Sequence, residues 1–189
     1  MITTVCLIRH GQTDWNKQNI IQGRLNNPLN ENGIAQAHEA GELLKRIDPS
    51  WDLIMSSPLS RAYDTAKIIA SHLDYPKDVI INNDFIERDF GKAEGCDIEK
   101  EIYQQIELDN VDGLEKRAEL QQRVLNALLD LGKKYPGQKI IVTTHSHVIK
   151  GVLTAISSEF NFSTRILNTA LNYFYLEDNK VIDYKINIK

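Results

Sequence analysis

Short apolar runs alternate with longer segments of helical periodicity along this chain of 189 residues. Residues 3–8 are apolar and β-branched, a pattern typical of a strand buried on both faces. Similar runs predict strands at residues 51–55, 79–81, 139–143, 172–176 and 181–186. The last two flank an acidic turn and predict a closing hairpin.

Four segments between the strands have apolar residues at helical spacing, namely 30–47, 59–73, 114–135 and 147–157, and a shorter helix is predicted at 98–110. Asn30 suits the cap of the first of these helices, and Pro58 suits the first turn of the second. Residues 84–97 show no period and contain two glycines, which predicts a loop.

Strands that alternate with helices predict one α/β domain over residues 1–189. We expect a three-layer α/β/α sandwich with a mostly parallel sheet and an antiparallel edge. A short helical insertion, called the lid here and placed at about residues 92–115, follows the third strand.

Charge and composition limit the kinds of partner and the cellular location that we expect. The 22 Lys and Arg residues face 26 Asp and Glu residues, so bulk attraction to nucleic acid is not expected. The chain contains no run of about 18 apolar residues, so no membrane span is predicted. The first apolar run lacks the basic residues that begin a signal peptide, so no signal peptide is predicted. Cys6 and Cys96 have no metal-ligand spacing, and they indicate reduced thiols and a cytoplasmic location.

Chemically active side chains follow three of the predicted strands. Arg9-His10-Gly11 ends the first strand, Arg61 follows the second, and His145 follows the strand at 139–143. Ligands bind at the carboxyl ends of strands in such sheets, so these groups should meet at one edge. Arginines fit phosphate oxygens, a neutral histidine is a nucleophile, and a protonated histidine stabilises an oxyanion.

Two further points stay open on chemistry alone. A proton donor for the leaving oxygen is either Glu87 or Asp89, which share one loop. His145 and His147 raise the question of a metal, since imidazole is a common ligand. Because no carboxylate or cysteine stands near them in sequence, we expect no metal and no cofactor.

The segment LIRHGQTDWN at residues 7–16 closely resembles the signature of the histidine phosphatase superfamily, also called the phosphoglycerate mutase-like family. Further segments resemble its other motifs in family order: Gln22-Gly23 with Pro28-Leu29, residues 56–66, residues 87–95 and residues 142–145. The resemblance covers about residues 4–155. It implies the phosphoglycerate mutase-like fold and chemistry on phosphate esters.

The resemblance implies a role for each matching residue. His10 would carry a transient phosphoryl group, with its far ring nitrogen held by the Gly11 carbonyl. Glu87 would protonate the leaving oxygen, and the family spacing favours it over Asp89. The residues implied to clamp the phosphoryl oxygens are Arg9, Arg61 and His145. The residues expected to contact the substrate are Arg9, His10, Asn16, Gln22, Gly23, Arg61, Glu87, His145 and Ser146.

This chain departs from the family pattern at two places. Ala93 stands where members often carry a tryptophan, which implies a wider wall of the site. Ser146-His147 follow His145 where the family commonly has glycine. We expect His147 to start the helix rather than to reach the substrate.

The family implies either a phosphatase or a cofactor-dependent phosphoglycerate mutase. Residues 94–115 hold eight acids and a single base, Lys100, so the lid lacks the cations that a mutase needs. We therefore expect hydrolysis of small phosphorylated metabolites to inorganic phosphate, with a preference for leaving groups that are neutral or cationic. A non-catalytic member that binds phosphorylated ligands is the remaining alternative. An oligomer is possible but not required.

Overall fold

A computed structural model describes residues 1–189, with six strands in one mixed sheet. The strands are β1 (Thr3–Arg9), β2 (Leu53–Ser56), β3 (Ile80–Ile81), β4 (Lys139–Thr144), β5 (Leu171–Glu177) and β6 (Lys180–Ile188). The helices are α1 (Asp14–Gln18), α2 (Glu31–Ile47), α3 (Ser60–His72), α4 (Lys100–Glu107), α5 (Arg117–Lys134) and α6 (Ser146–Ile156).

The strand order across the sheet is β3-β2-β4-β1-β5-β6. The first four strands are parallel, while β5 runs antiparallel to β1 and β6 antiparallel to β5. This confirms the predicted mixed sheet with an antiparallel edge. Because β1 and β4 are adjacent and parallel, Arg9 and Thr144 lie in register, and the residues that follow both strands emerge side by side.

Helices cover both faces of the sheet. On one face, α5 and α6 pack over alternate residues of β1 and β4, such as Leu7 and Val142. On the other face, α2 and α3 pack over the intervening residues, such as Ile8 and Ile141. All four of these strand residues are fully buried, so the centre of the sheet is apolar on both sides. The three predicted layers are therefore present. No helix combines the length and the apolar character that spanning a bilayer requires.

The main differences between the structure and the predicted elements lie in three places. Helix α1 was not predicted, because none of its residues is buried and it shows no apolar period. Strand β3 is shorter than the predicted strand at 79–81 and consists of two exposed residues at the edge of the sheet. Helix α5 begins at Arg117 rather than at Leu114, because Leu114 forms a bridge with Phe90 and packs into the lid.

The lid has its own small core and two anchors to the rest of the chain. Phe90, Ile106 and Leu114 pack together with Ile21 from the loop after α1. Beneath them, the buried guanidinium of Arg88 donates to Asp109 at 2.6 Å and to the Glu115 carbonyl at 2.8 Å. A second ion pair, Arg123 with Glu115 at 2.7 Å, ties the end of the lid to α5. These contacts fix the lid beside the carboxyl ends of the strands.

Candidate active site

A cleft of about 470 Å³ opens at the carboxyl ends of β1 and β4. This volume is typical of a site for a small ligand. The cleft is lined by every predicted site residue except His145, namely Arg9, His10, Asn16, Gln22, Gly23, Arg61, Glu87 and Ser146. His145 follows β4 directly and lies in edge contact with the His10 ring, 5.2 Å between centroids. The sheet thus brings the predicted residues to one place.

His10 is held as a neutral imidazole. Its Nδ1 lies 2.7 Å from the Gly11 carbonyl oxygen, so Nδ1 carries the proton and Nε2 has the free lone pair. Nε2 accepts a hydrogen bond from Nε of Arg61 at 3.2 Å. Burial, followed by the charges of Arg61 and Arg9, holds the pKa of His10 well below its usual value. The ring is therefore neutral at neutral pH, with an unprotonated Nε2 that can act as a nucleophile.

Arg61 lies in the first turn of α3 and is pinned by two main-chain carbonyls. Its terminal nitrogens donate to Gly23 and Leu25, both at 2.7 Å. Gly23 has a φ of 51°, a left-handed conformation that glycine adopts without a steric penalty. Burial lowers the pKa of Arg61 to about 10, so it stays charged at neutral pH. A charged fork fixed in this way suits a phosphoryl group.

Arg9 supplies a second guanidinium to the cleft. One of its terminal nitrogens donates to the Ile166 carbonyl at 2.7 Å, while its buried Nε has no hydrogen-bond partner in the protein. Burial lowers the pKa of Arg9 to about 10. An unpaired buried donor is costly unless a ligand satisfies it. Arg9 is thus placed to bind an anion in the cleft.

His145 is fully buried behind the cleft. Its Nε2 lies 2.7 Å from the Ser57 hydroxyl, and its Nδ1 has no partner. Burial, followed by the charges of Arg61 and His10, holds the pKa of His145 well below its usual value. The ring is therefore neutral while the cleft holds no anion. A phosphate dianion nearby would favour the protonated, charged form.

The structure distinguishes between Glu87 and Asp89, the two candidates for the proton donor. Glu87 lines the cleft and accepts from the backbone N–H of Arg88 at 2.9 Å. Burial raises its pKa, against the opposing effect of that hydrogen bond and of Arg61. Asp89 does not line the cleft and pairs with Arg24 at 3.3 Å instead. A buried carboxyl group with a raised pKa fits a general acid.

Neutral polar groups line the side of the cleft next to α1. Asn16 closes a capping box with Thr13, whose hydroxyl in turn donates to the Gln22 side chain at 2.9 Å. Ser146, the first residue of α6, also lines the cleft. These contacts hold Asn16 and Gln22 in place through side chains close in sequence.

Three basic residues that line the cleft were not among the predicted site residues: His147, Lys150 and Arg165. His147 is the second residue of α6, which begins at Ser146, and its ring lies between Phe90 and Phe162. His147 thus lies in the first turn of the helix, as expected, and its ring also lines the cleft. No motif pointed to Lys150 or Arg165, which come from α6 and from the segment between α6 and β5.

The lid presents an apolar surface to the cleft. Its contributions are Ile98, Tyr103 and Ile106, and none of the eight acidic residues at 94–115 lines the cleft. The acidic residues of the lid therefore give no support to the expected preference for neutral or cationic leaving groups. Three of the acids pair with cations elsewhere: Asp109 with Arg88, Asp112 with Lys92 and Glu115 with Arg123.

The structure also has no group of three or more His, Cys, Asp or Glu side chains placed to hold a metal ion.

Comparison with known proteins agrees with this geometry. The chain is 40% identical over 192 residues to the uncharacterized phosphatase PhoE of Bacillus subtilis (strain 168), covering 98% of this chain and 96% of that protein. It is 34% identical over 192 residues to the metal-independent phosphoserine phosphatase of Arabidopsis thaliana, covering 96% and 79%. A phosphoserine phosphatase mutant from Entamoeba histolytica, crystallised with phosphoserine, has a TM-score of 0.80 at 28% identity over 96% of each chain. Residues 5–187 match the family model of the histidine phosphatase superfamily (branch 1), so this chain belongs to that superfamily.

Proposed function

We propose that this protein is a metal-independent phosphomonoester hydrolase that works through a phosphohistidine at His10. One observation carries the proposal. The Nε2 lone pair of His10 lies 3.2 Å from Nε of Arg61, while the Gly11 carbonyl fixes the opposite ring nitrogen. A neutral nucleophile beside a phosphate-binding guanidinium is what phosphoryl transfer to histidine needs.

The first step forms the P–N bond. Nε2 of His10 attacks phosphorus, the bond from phosphorus to the ester oxygen breaks, and Glu87 gives its proton to that oxygen. The alcohol then leaves, and Glu87 is a carboxylate. Arg9 and Arg61 stabilise the charge on the phosphoryl oxygens throughout, and His145 joins them in its protonated form.

The second step returns the enzyme to its starting state. The Glu87 carboxylate takes a proton from water, whose oxygen attacks phosphorus while the P–Nε2 bond breaks. Inorganic phosphate leaves, His10 is neutral again and Glu87 is protonated. The positive charge that a metal ion would offer a phosphoryl group comes here from arginine side chains.

A small phosphorylated metabolite suits the volume of the cleft. The phosphoserine phosphatases among its relatives support such a substrate. We also propose a cytoplasmic location, supported by the free thiols of Cys6 and Cys96, and one catalytic domain over residues 1–189 with the lid at about 92–115.

Hydrolysis is favoured over mutase chemistry by what the lid brings to the cleft. A mutase must keep water from the phosphohistidine and retain a phosphorylated intermediate. Here the lid contributes the apolar and aromatic side chains of Ile98, Tyr103 and Ile106, and no cation. Lid residues of this kind do not hold a second phosphate.

The test is a comparison of phosphate release with isomerisation of phosphoglycerate, in the presence of a metal chelator. We expect release to dominate, a ³²P-labelled substrate to leave an acid-labile label on His10 in quenched enzyme, and His10→Ala to abolish both release and label. Faster isomerisation than release, loss of activity in the chelator, or an active His10→Ala variant would each contradict the proposal. Binding of phosphate esters without any release would identify a non-catalytic member.

A further inference from the structure

The cleft holds more positive charge than one phosphoryl group needs. Arg9, Arg61, Lys150 and Arg165 line it, and its only acidic residue is Glu87, which the proposed mechanism uses in its protonated form. A phosphate monoester carries about two negative charges at neutral pH, which Arg9 and Arg61 balance. Lys150 and Arg165 form no ion pair with an acidic side chain.

Lys150 lies on α6 and is half-buried. Its ammonium donates to the Phe162 carbonyl at 2.7 Å and forms no ion pair with an acidic side chain. Desolvated charges are usually paired in proteins, because an uncompensated one is costly. A lysine kept in this position beside a catalytic cleft therefore points to an anion that arrives with the ligand.

Arg165 faces the same cleft from the segment between α6 and β5. Its neighbour Ile166 supplies the carbonyl that holds Arg9, so this segment positions one arginine and presents another. The guanidinium of Arg165 is exposed and makes no ion pair within the protein. Its fork is thus free for a planar anion.

We propose that Lys150 and Arg165 form a second anion site, which binds a carboxylate on the leaving group of the substrate. The phosphoryl position has two pinned guanidiniums and two histidines, whereas this site has one ammonium that already donates to a carbonyl and one exposed guanidinium. So few donors match the single charge and two oxygens of a carboxylate better than a second phosphate. The inference rests on the proposed hydrolysis and names its substrate class: carboxylate-bearing phosphomonoesters.

This inference reverses the preference expected from the sequence, where the acidic lid favoured neutral or cationic leaving groups. The acids that supported that expectation do not line the cleft, while two unpredicted cations do. The charge that the leaving group meets is therefore positive.

Two matched pairs of esters test the site. O-phosphoserine differs from O-phosphoethanolamine only by a carboxylate, and 3-phosphoglycerate differs from glycerol 3-phosphate by a carboxylate in place of a hydroxymethyl group. We expect kcat/KM to favour the carboxylate member by about tenfold to a hundredfold, as for hydrogen bonds to a charged group. Lys150→Met and Arg165→Gln should each lower this ratio at least about fivefold, and the double variant should bring it near one.

Three variants control for structural effects. Lys150→Arg keeps the charge and should retain most of the ratio, and Lys133→Met removes an exposed charge on α5 and should leave the ratio unchanged. Lys150→Met also removes the bond to the Phe162 carbonyl, so its folding is checked by thermal unfolding. Arg165→Gln changes an exposed side chain outside any helix or strand and tests the site even if Lys150→Met unfolds.

The outcomes separate this inference from the proposed function. Equal efficiency on both members of each pair, with phosphate released from all four esters, would overturn the carboxylate site and leave the hydrolase intact. A stronger preference for sugar bisphosphates than for carboxylate esters would also overturn it. No release from any ester, or release by His10→Ala, would overturn the proposed function itself.

Discussion

The Nε atom of Arg61 donates to Nε2 of His10 over 3.2 Å. This contact joins the nucleophile to a guanidinium that is itself fixed by the Gly23 and Leu25 carbonyls. Arg61 therefore has two effects on His10: it orients the ring, and its charge contributes to the low pKa of that ring. When a phosphoryl group enters, the same N–H is within reach of a phosphoryl oxygen.

Replacing Arg61 with alanine tests both effects. We expect Arg61→Ala to lower kcat/KM by about 10²–10³-fold, the usual cost of removing a charge-stabilising donor. Because Arg61 lowers the pKa of His10, its removal raises that pKa, and the acidic limb of the pH profile should move to higher pH. An acidic limb that stays in place would show that Arg61 does not control the protonation of His10.

Glu87→Gln should lower kcat on alkyl phosphates by about 10²–10⁴-fold, because the amide donates no proton to the leaving oxygen. The loss should be much smaller on p-nitrophenyl phosphate, whose leaving group needs no proton. Glu87 acts when protonated, so wild-type activity on alkyl esters falls as pH rises through its raised pKa, and the variant should lack that limb.

Asp89→Asn is the matched control for Glu87, since Asp89 lies on the same loop but pairs with Arg24 outside the cleft. We expect it to keep most of the activity on both kinds of ester. A severe loss in Asp89→Asn together with an active Glu87→Gln would reverse the assignment of the acid.

The ion pairs of the lid should differ greatly in their contribution to stability. Arg88 is 1% exposed and pairs with Asp109, whereas Lys92 and Asp112 are 79% and 76% exposed. Arg88→Met leaves a partly buried carboxylate without its partner and should lower the free energy of unfolding by about 3 kcal/mol. Lys92→Met should change it by less than about 1 kcal/mol. Urea unfolding of both variants measures the difference, and equal effects would contradict it.

The carboxylate preference should depend on pH through Lys150. Burial and the charge of Arg9 lower the pKa of Lys150 to about 8, against the opposite effect of Glu87. The ammonium is lost as pH rises through that value, so the ratio of kcat/KM for O-phosphoserine over O-phosphoethanolamine should decline above about pH 8. Lys150→Arg should hold the ratio constant over the same range, because an arginine keeps its charge there. A decline of equal size in both proteins would exclude Lys150 as its source.

The sequence predicts which end of the sheet carries the site, because charged and imidazole side chains directly follow apolar strands there. An apolar strand stops at Arg9-His10, and another is followed at once by His145. Parallel pairing of β1 with β4 then brings these residues together by topology alone. The distances between these side chains and their protonation states depend on burial and on carbonyls far away in sequence, such as that of Gly23. The sequence alone therefore does not predict them.

Two differences between the expected site and the observed cleft result from tertiary structure. The acidic run at 94–115 looks like one charged surface in sequence, yet Asp109 and Glu115 turn towards Arg88 and Arg123 and away from the cleft. Lys150 and Arg165 belong to a helix and to the connection that follows it, without any shared motif. Only the folding of that connection back beside Arg9 places them in one cleft.

The partners of Arg61 have a consequence for how fast a substrate is captured. Neutral carbonyls hold this guanidinium without cancelling its charge, so a protein of formal net charge −4 carries a locally positive cleft. At low ionic strength such a potential draws anions from well beyond contact distance and raises their rate of encounter. Added salt shortens that reach, to about 10 Å at 0.1 M ionic strength. Phosphate esters are thus guided to the cleft against the repulsion of the chain as a whole.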